Sequence, residues 1–160
     1  MTASMKQGAT SVRHSVSVGL APEQAFELFT DRMDDWWPSD DSHSILEGPT
    51  VGTIEPFEGG RWYDRAEDGT ECDVGTVLVW DPPRRVMFAW RLTPSWEHEP
   101  DLEKCTHVDV IFAAEGDGTR VRLEHRGFER YGEAGAGMRK QVGADDGWPE
   151  LLRLYAAAAA

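Results

Sequence analysis

Asparagine is absent from the sequence, cysteine occurs only at Cys72 and Cys105, and lysine only at Lys6, Lys104 and Lys140. Without asparagine there is no N-linked glycosylation sequon, and two cysteines are too few for a disulfide framework. Positive charge is also scarce. The 16 Lys and Arg stand against 29 Asp and Glu, a formal net charge of −13. Such a surface repels phosphate backbones and anionic headgroups over a Debye length of ~8 Å, so nucleic acid is not an expected partner. No apolar run approaches the ~20 residues of a membrane-spanning helix, which excludes membrane insertion by a helix. Residues 1–11 carry one charge, Lys6, and no apolar stretch, so no secretory signal is readable. The expectation is a reduced, cytoplasmic protein.

Several chemical signatures are missing too. There is no Gly-x-x-x-x-Gly-Lys-Ser/Thr loop, no His-Glu-x-x-His pair, no calcium loop and no Gly-x-Ser-x-Gly elbow. Cys105, His107 and Asp109 share one strand face at i, i+2 and i+4. Same-face neighbours on a strand stand ~6.6 Å apart, too far for all three to hold one ion easily. No metal and no cofactor are therefore expected. Cys72 and Cys105 fall two strands apart in a meander, roughly 10 Å between backbones, beyond the ~7 Å a disulfide tolerates. Free thiols are predicted.

What is present is 160 residues with 40% hydrophobic side chains, enough for one core without staples. One domain over 12–157 is expected after a disordered leader, 1–11. Val12, His14, Val16 and Val18 alternate with polar residues, the period of a half-buried strand. Pro22 then suits a first helical turn, and Ala25, Phe26, Leu28 and Phe29 form an apolar stripe, predicting a helix over 22–30. A second short helical segment over 31–37 stops at Pro38. From Gly48 to Phe128, short β-like runs near 50–56, 60–67, 71–80, 84–92, 104–114 and 119–128 are punctuated by Gly, Pro and Asp. A shorter helix is expected around 138–142. Trp148, Leu151, Leu152 and Tyr155 fall at i, i+3, i+4 and i+7, a final amphipathic helix with Asp145 or Asp146 as N-cap. Pro149 predicts that this helix starts late or bends. The order is α+β, a meander with one helix on one sheet face.

Trp36-Trp37-Pro38 followed by His43-Ser44, then Gly59-Gly60-Arg61-Trp62-Tyr63, then Gly75 through Arg85 with Trp80-Asp81-Pro82-Pro83, then Gly118 through His125 and Gly147-Trp148 together resemble the START-like, SRPBCC or helix-grip superfamily. Within it the likeness is to the group named after the activator of heat-shock protein 90 ATPase. The resemblance covers about 11–155. It implies a seven-stranded antiparallel sheet curled around a long C-terminal helix, two short helices after the first strand, and a cavity between sheet and helix. It also implies two kinds of partner, a small molecule in that cavity or a chaperone or other protein.

Seven tryptophans are many for this length, and indoles combine large apolar area with one N–H donor, as a pocket for a ring-bearing molecule needs. The expected ligand-binding wall is Trp36, Trp37, Trp62, Trp90 and Trp148. Phe88, Val110, Leu123, His125 and Leu152 join it from the same sheet face and helix stripe. His125 and His43 are candidate general bases, and Asp64 is the carboxylate that would pair with one of them. That pairing requires Trp62 and Asp64, rather than Arg61, Tyr63 and Arg65, to face inward. Binding of a small hydrophobic or aromatic molecule is the expected function. A cyclase or hydrolase in the same cavity and a co-chaperone-like module are the alternatives.

Overall fold

Valines alternating with polar residues build β1 (Val12–Val18), and Pro22 opens α1 (Pro22–Phe29), whose buried stripe is Ala25, Phe26, Leu28 and Phe29. The computed structural model describes residues 11–160, so the expected leader lies outside the described residues except for Ser11. The meander follows as β2 (Thr50–Ile54), β3 (Arg61–Ala66), β4 (Glu71–Asp81), β5 (Arg85–Trp90), β6 (Thr106–Glu115) and β7 (Gly118–Arg126). Two helices end the chain, α2 (Gly135–Val142) and α3 (Trp148–Ala158). Every strand pair is antiparallel, in the order β1-β7-β6-β5-β4-β3-β2. The seven-stranded helix-grip sheet is therefore present, with the register that alternation demands. Phe88, Val108, Val110, Phe112, Val121, Leu123 and His125 are all buried on one face.

Three local expectations need correction. The segment 31–37 is one 3-10 turn, Met33–Asp35. Trp36 leaves helical geometry at φ −133°, and both adjacent indoles then bury. The single long C-terminal helix that the resemblance implies is two pieces, as the separate helix near 138–142 and Pro149 predict, because Pro149 has no N–H to extend a ladder upstream. The third concerns the cap. Gly147, not Asp145 or Asp146, caps α3, without a side-chain hydrogen bond. The turn between the pieces is tight: a methyl group on Gly147 would lie 2.2 Å from the Val142 carbonyl oxygen.

On the outer sheet face, alternation marks Asp109 as solvated, yet it is only 7% exposed. Arg85 donates to both its oxygens at 2.8 and 2.9 Å, and Arg126 adds a third contact at 3.1 Å. These guanidiniums hold its carboxyl below the usual range despite partial burial. Both cysteines are free thiols, Cys105 fully buried. No described helix is long and apolar enough to cross a membrane.

Gly147→Ala tests the junction. Backbone must move to relieve a 2.2 Å contact, so the variant is expected to lose about 2 kcal/mol or more in urea denaturation. A loss within about 0.5 kcal/mol would mean that the turn yields freely.

Candidate functional site

The inner face of the sheet is filled at one end and open at the other. Over β6 and β7, Phe26 meets Phe112 at 5.1 Å, Phe29 meets Tyr155 at 5.3 Å, and Trp36 meets Tyr155 at 5.3 Å. The Tyr155 hydroxyl donates to the Ala25 carbonyl at 2.7 Å, tying α3 to α1. Over β3 to β5 there is instead a cavity of about 850 Å³. Its sheet wall is Asp64, Val74 and Trp90. Trp37 and residues 42–45 form one side, and the α2–α3 junction with Trp148 and Leu151 forms the other.

Trp37, Trp90 and Trp148 thus line the cavity as the sequence suggests. Trp62 is 1% exposed and stands behind them, its ring 5.4 Å from Trp37 and 5.7 Å from Trp90. It fits because β4 carries Gly75 opposite it. A methyl there would lie 3.0 Å from the Trp62 ring. The remaining expected wall residues belong to the packed core. Trp36 donates to the Leu28 carbonyl at 3.0 Å, and Phe88 packs on Trp62 at 5.0 Å. Val110, Leu123 and Leu152 are buried in the main core cluster. The physical reason is that strand alternation selects the inner face but not which part of that face the helices cover.

His125 also departs from the expected role. It is fully buried, and its Nδ1 accepts from Trp148 Nε1–H at 3.0 Å. Because indole nitrogen can only donate, the imidazole proton sits on Nε2, which donates to Thr106 Oγ1 at 2.8 Å. Thr106 then donates to Tyr131 Oη at 3.3 Å, and the Tyr131 hydroxyl donates to the Leu92 carbonyl at 2.7 Å. Every N–H and O–H donor on this path is used. Burial, chiefly, pushes the imidazole down to about 3, so His125 stays neutral and positions Trp148 rather than moving protons. His43 does reach the cavity mouth. Its Nε2 donates to the Asp146 carbonyl at 2.8 Å and its Nδ1 contacts Ser42 Oγ at 2.9 Å. Both nitrogens are occupied, Nδ1 within the 39–44 loop and Nε2 in tying that loop to the helix junction.

Asp64 is the candidate that keeps unused capacity. It faces inward with Trp62, while Arg61, Tyr63 and Arg65 lie on the other face, Arg61 over the Tyr63 ring at 4.0 Å. The side chain is 2% exposed, and Oδ1 has no hydrogen-bond partner. Burial raises its carboxyl to about 6, against a hydrogen bond from Ser44 that lowers it. No His125–Asp64 pair forms, since His125 is committed elsewhere. Among the described residues, no cluster of three or more metal-ligating side chains occurs.

Trp96 was not foreseen as a site residue. It lies in the 93–98 loop at φ 63°, lines the cavity, and donates from Nε1 to Gln141 Oε1 at 3.1 Å, bridging to α2. A lone tryptophan in an acidic loop has no periodicity to mark it. Ser44, Val74, Leu92 and Leu151 were also missed as lining residues; Leu151 was legible as part of the helix stripe.

Residues 20–159 match the family described as "Activator of Hsp90 ATPase homolog 1-like protein". The chain belongs to this family. A search of curated proteins gave no match. Among solved structures, the chain is 37% identical to the anthrahydroquino-gamma-pyrone synthase Txn09, covering 92% of this chain and 96% of that one with a TM-score of 0.65. It is 32% identical to CalC, a self-sacrificing resistance protein from Micromonospora echinospora, covering 92% of each chain with a TM-score of 0.65. Aha1 from Colwellia psychrerythraea, 19% identical over 93% of this chain and 95% of that one, has a TM-score of 0.53 and shows the shared fold alone. Members of the Hsp90-ATPase-activator-like family thus share with this chain a fold able to enclose a small molecule.

Two of the buried titratable groups, His125 and Asp64, act oppositely on stability. His125 is depressed from 6.5 to about 3, so its contribution is complete above 6.5 and is lost as pH falls. Asp64 is raised from 3.8 to about 6, so its contribution is complete below 3.8 and is lost as pH rises. Between about pH 6 and pH 4.5 the two slopes oppose each other. Asp64→Asn removes one of them. Its stability is expected to fall more steeply with acid than that of the unaltered protein, by up to about 1.4 kcal/mol per pH unit. Urea denaturation across that window measures the difference, and parallel curves would refute it.

Proposed function

We propose that this protein binds a flat, mostly apolar multi-ring aromatic molecule in the cavity between β3–β5 and the α2–α3 junction. The observation that carries this reading is a cavity of about 850 Å³ whose walls include four indoles and a single buried carboxyl. Apolar walls with few polar groups are the ordinary composition of a small-molecule site. Indole edges and faces favour stacked or edge-on aromatic partners. The relatives above 30% identity support it, since one is named for making an anthrahydroquino-gamma-pyrone and the other for resistance.

Ring closure on that molecule is the second reading, favoured by the 37% identity to the synthase and by a carboxyl whose value near 6 suits it to both giving and taking a proton. The chaperone-partner alternative draws on the family's description alone.

Ala144 lines the cavity and is partly exposed, so Ala144→Phe adds bulk to the cavity without opening the core. Calorimetric titration with 2-methoxyfluorene, a flat three-ring probe, is expected to show binding that Ala144→Phe weakens about tenfold or more, about 1.4 kcal/mol. Thermal stability should change by only a few degrees. Equal affinity in the variant, or failure of both this probe and its hydroxyl analogue 2-hydroxyfluorene to bind the unaltered protein, would overturn the reading. Native mass spectrometry of the freshly purified protein would supply the mass of any molecule that travels with it.

A further inference from the structure

Asp64 is the one buried carboxyl on the cavity wall with spare acceptor capacity. It is 2% exposed, it lines the cavity, and Oδ1 has no partner among the described residues. A carboxylate accepts about four hydrogen bonds, whereas among the described residues its side-chain partner is the Ser44 hydroxyl. No arginine, lysine or histidine pairs with it, in contrast to Asp109 on the outer face, which Arg85 and Arg126 satisfy. The terminal torsion of aspartate is broad, so a partial rotation of the carboxyl redirects its free acceptor sites toward the cavity. The surroundings offer little else: Gly52 sits beside Oδ1, Cys72 is the cross-strand neighbour, and Val74, Leu92 and Trp90 share the wall. An unpaired buried acceptor is costly, and a ligand that donates to it relieves that cost while an isosteric ligand without a donor does not.

We infer that Asp64 is the specificity-determining residue of this cavity, selecting fused-ring aromatic molecules that carry a phenolic or enolic hydroxyl directed at its carboxylate. The inference rests on the proposed aromatic-binding function and narrows its ligand class. The carboxyl held near 6 is consistent with it, since at neutral pH the group is an anionic acceptor that shares a donated proton strongly. Trp90 Nε1, a donor without an acceptor on the same wall, leaves room for a carbonyl elsewhere on the same ligand.

The test uses a matched pair, 2-hydroxyfluorene and 2-methoxyfluorene, which differ by one methyl group on oxygen and so by the presence of the donor. Titrated at neutral pH into the full chain, the hydroxyl compound is expected to bind about tenfold or more tightly than the methoxy compound. In Asp64→Leu that preference should vanish, with methoxyfluorene affinity kept or improved. Asp64→Asn, which keeps shape and an acceptor but loses the charge, should reduce the preference by about threefold or more, and it stands in if the leucine variant does not fold. Equal affinities for the two probes in the unaltered protein, or a preference that survives both substitutions, would overturn the role of Asp64 while leaving aromatic binding intact. Failure of both probes to bind would overturn the aromatic-binding reading and this inference with it.

Discussion

The hydrogen bond from Trp148 to the neutral imidazole of His125 is the contact on which the arrangement of the site depends. It joins the first turn of α3 to β7 in the interior, and the path continues through Thr106 on β6 and Tyr131 to the Leu92 carbonyl just beyond β5. Three strands and the helix junction are thereby held in one register by groups with fixed donor and acceptor roles. A charged imidazole would place two donors where the path needs one donor and one acceptor, so the neutral state and the geometry require each other. Trp148 held in this way becomes a cavity wall instead of core filling.

The sheet divides its inner face between two tasks. Over β6 and β7 the phenylalanines of α1 and Tyr155 of α3 fill the space between the layers. Over β3 to β5 the helices are interrupted at the turn before Gly147, and the space stays open. Trp62 stands behind the open region, packed on Trp37, Phe88 and Trp90, because Gly75 leaves room for it. The acidic sequence charge is managed on the outer face by arginine pairs, among them Arg61 with Glu71 and Asp73. Mostly half-exposed, these contribute modestly to stability. Among the described residues, Asp64 is the buried carboxyl on the inner face without a cationic partner, and beside the indoles of the cavity such a group has chemical consequences.

Much of the site was legible residue by residue but not as an arrangement. Alternation along β5 to β7 correctly identified the buried side chains, and the spacing of Trp62 and Asp64 put them on one face. What alternation lacks is information about the opposing layer. Val110, Leu123 and Leu152 satisfy every sequence criterion for a pocket wall and are buried in the core cluster instead. His125 has the same history. An inward histidine beside a predicted cavity is more often a satisfied structural link than a base, and the positions of Trp148 and Thr106 make it that link here. Trp96 and the 42–45 segment come from loops whose course is set by long-range ties, Trp96 to Gln141 and His43 to Asp146.

The sequence alone determined the α+β order, the seven antiparallel strands, the sheet face to be buried, the amphipathic stripe of the last helix and the absence of a helical membrane span. These follow from local periodicity and from the φ restrictions of proline and glycine, which act within a few residues. The tertiary structure decided where the open space lies, which indoles face it, that His125 is neutral and fully bonded, and that Asp64 is buried with an oxygen unpaired. Those properties depend on which side chains distant in the chain meet across the interior. Burial and hydrogen-bond partnership are set by such neighbours, so the chemical character of the site emerges only with the fold.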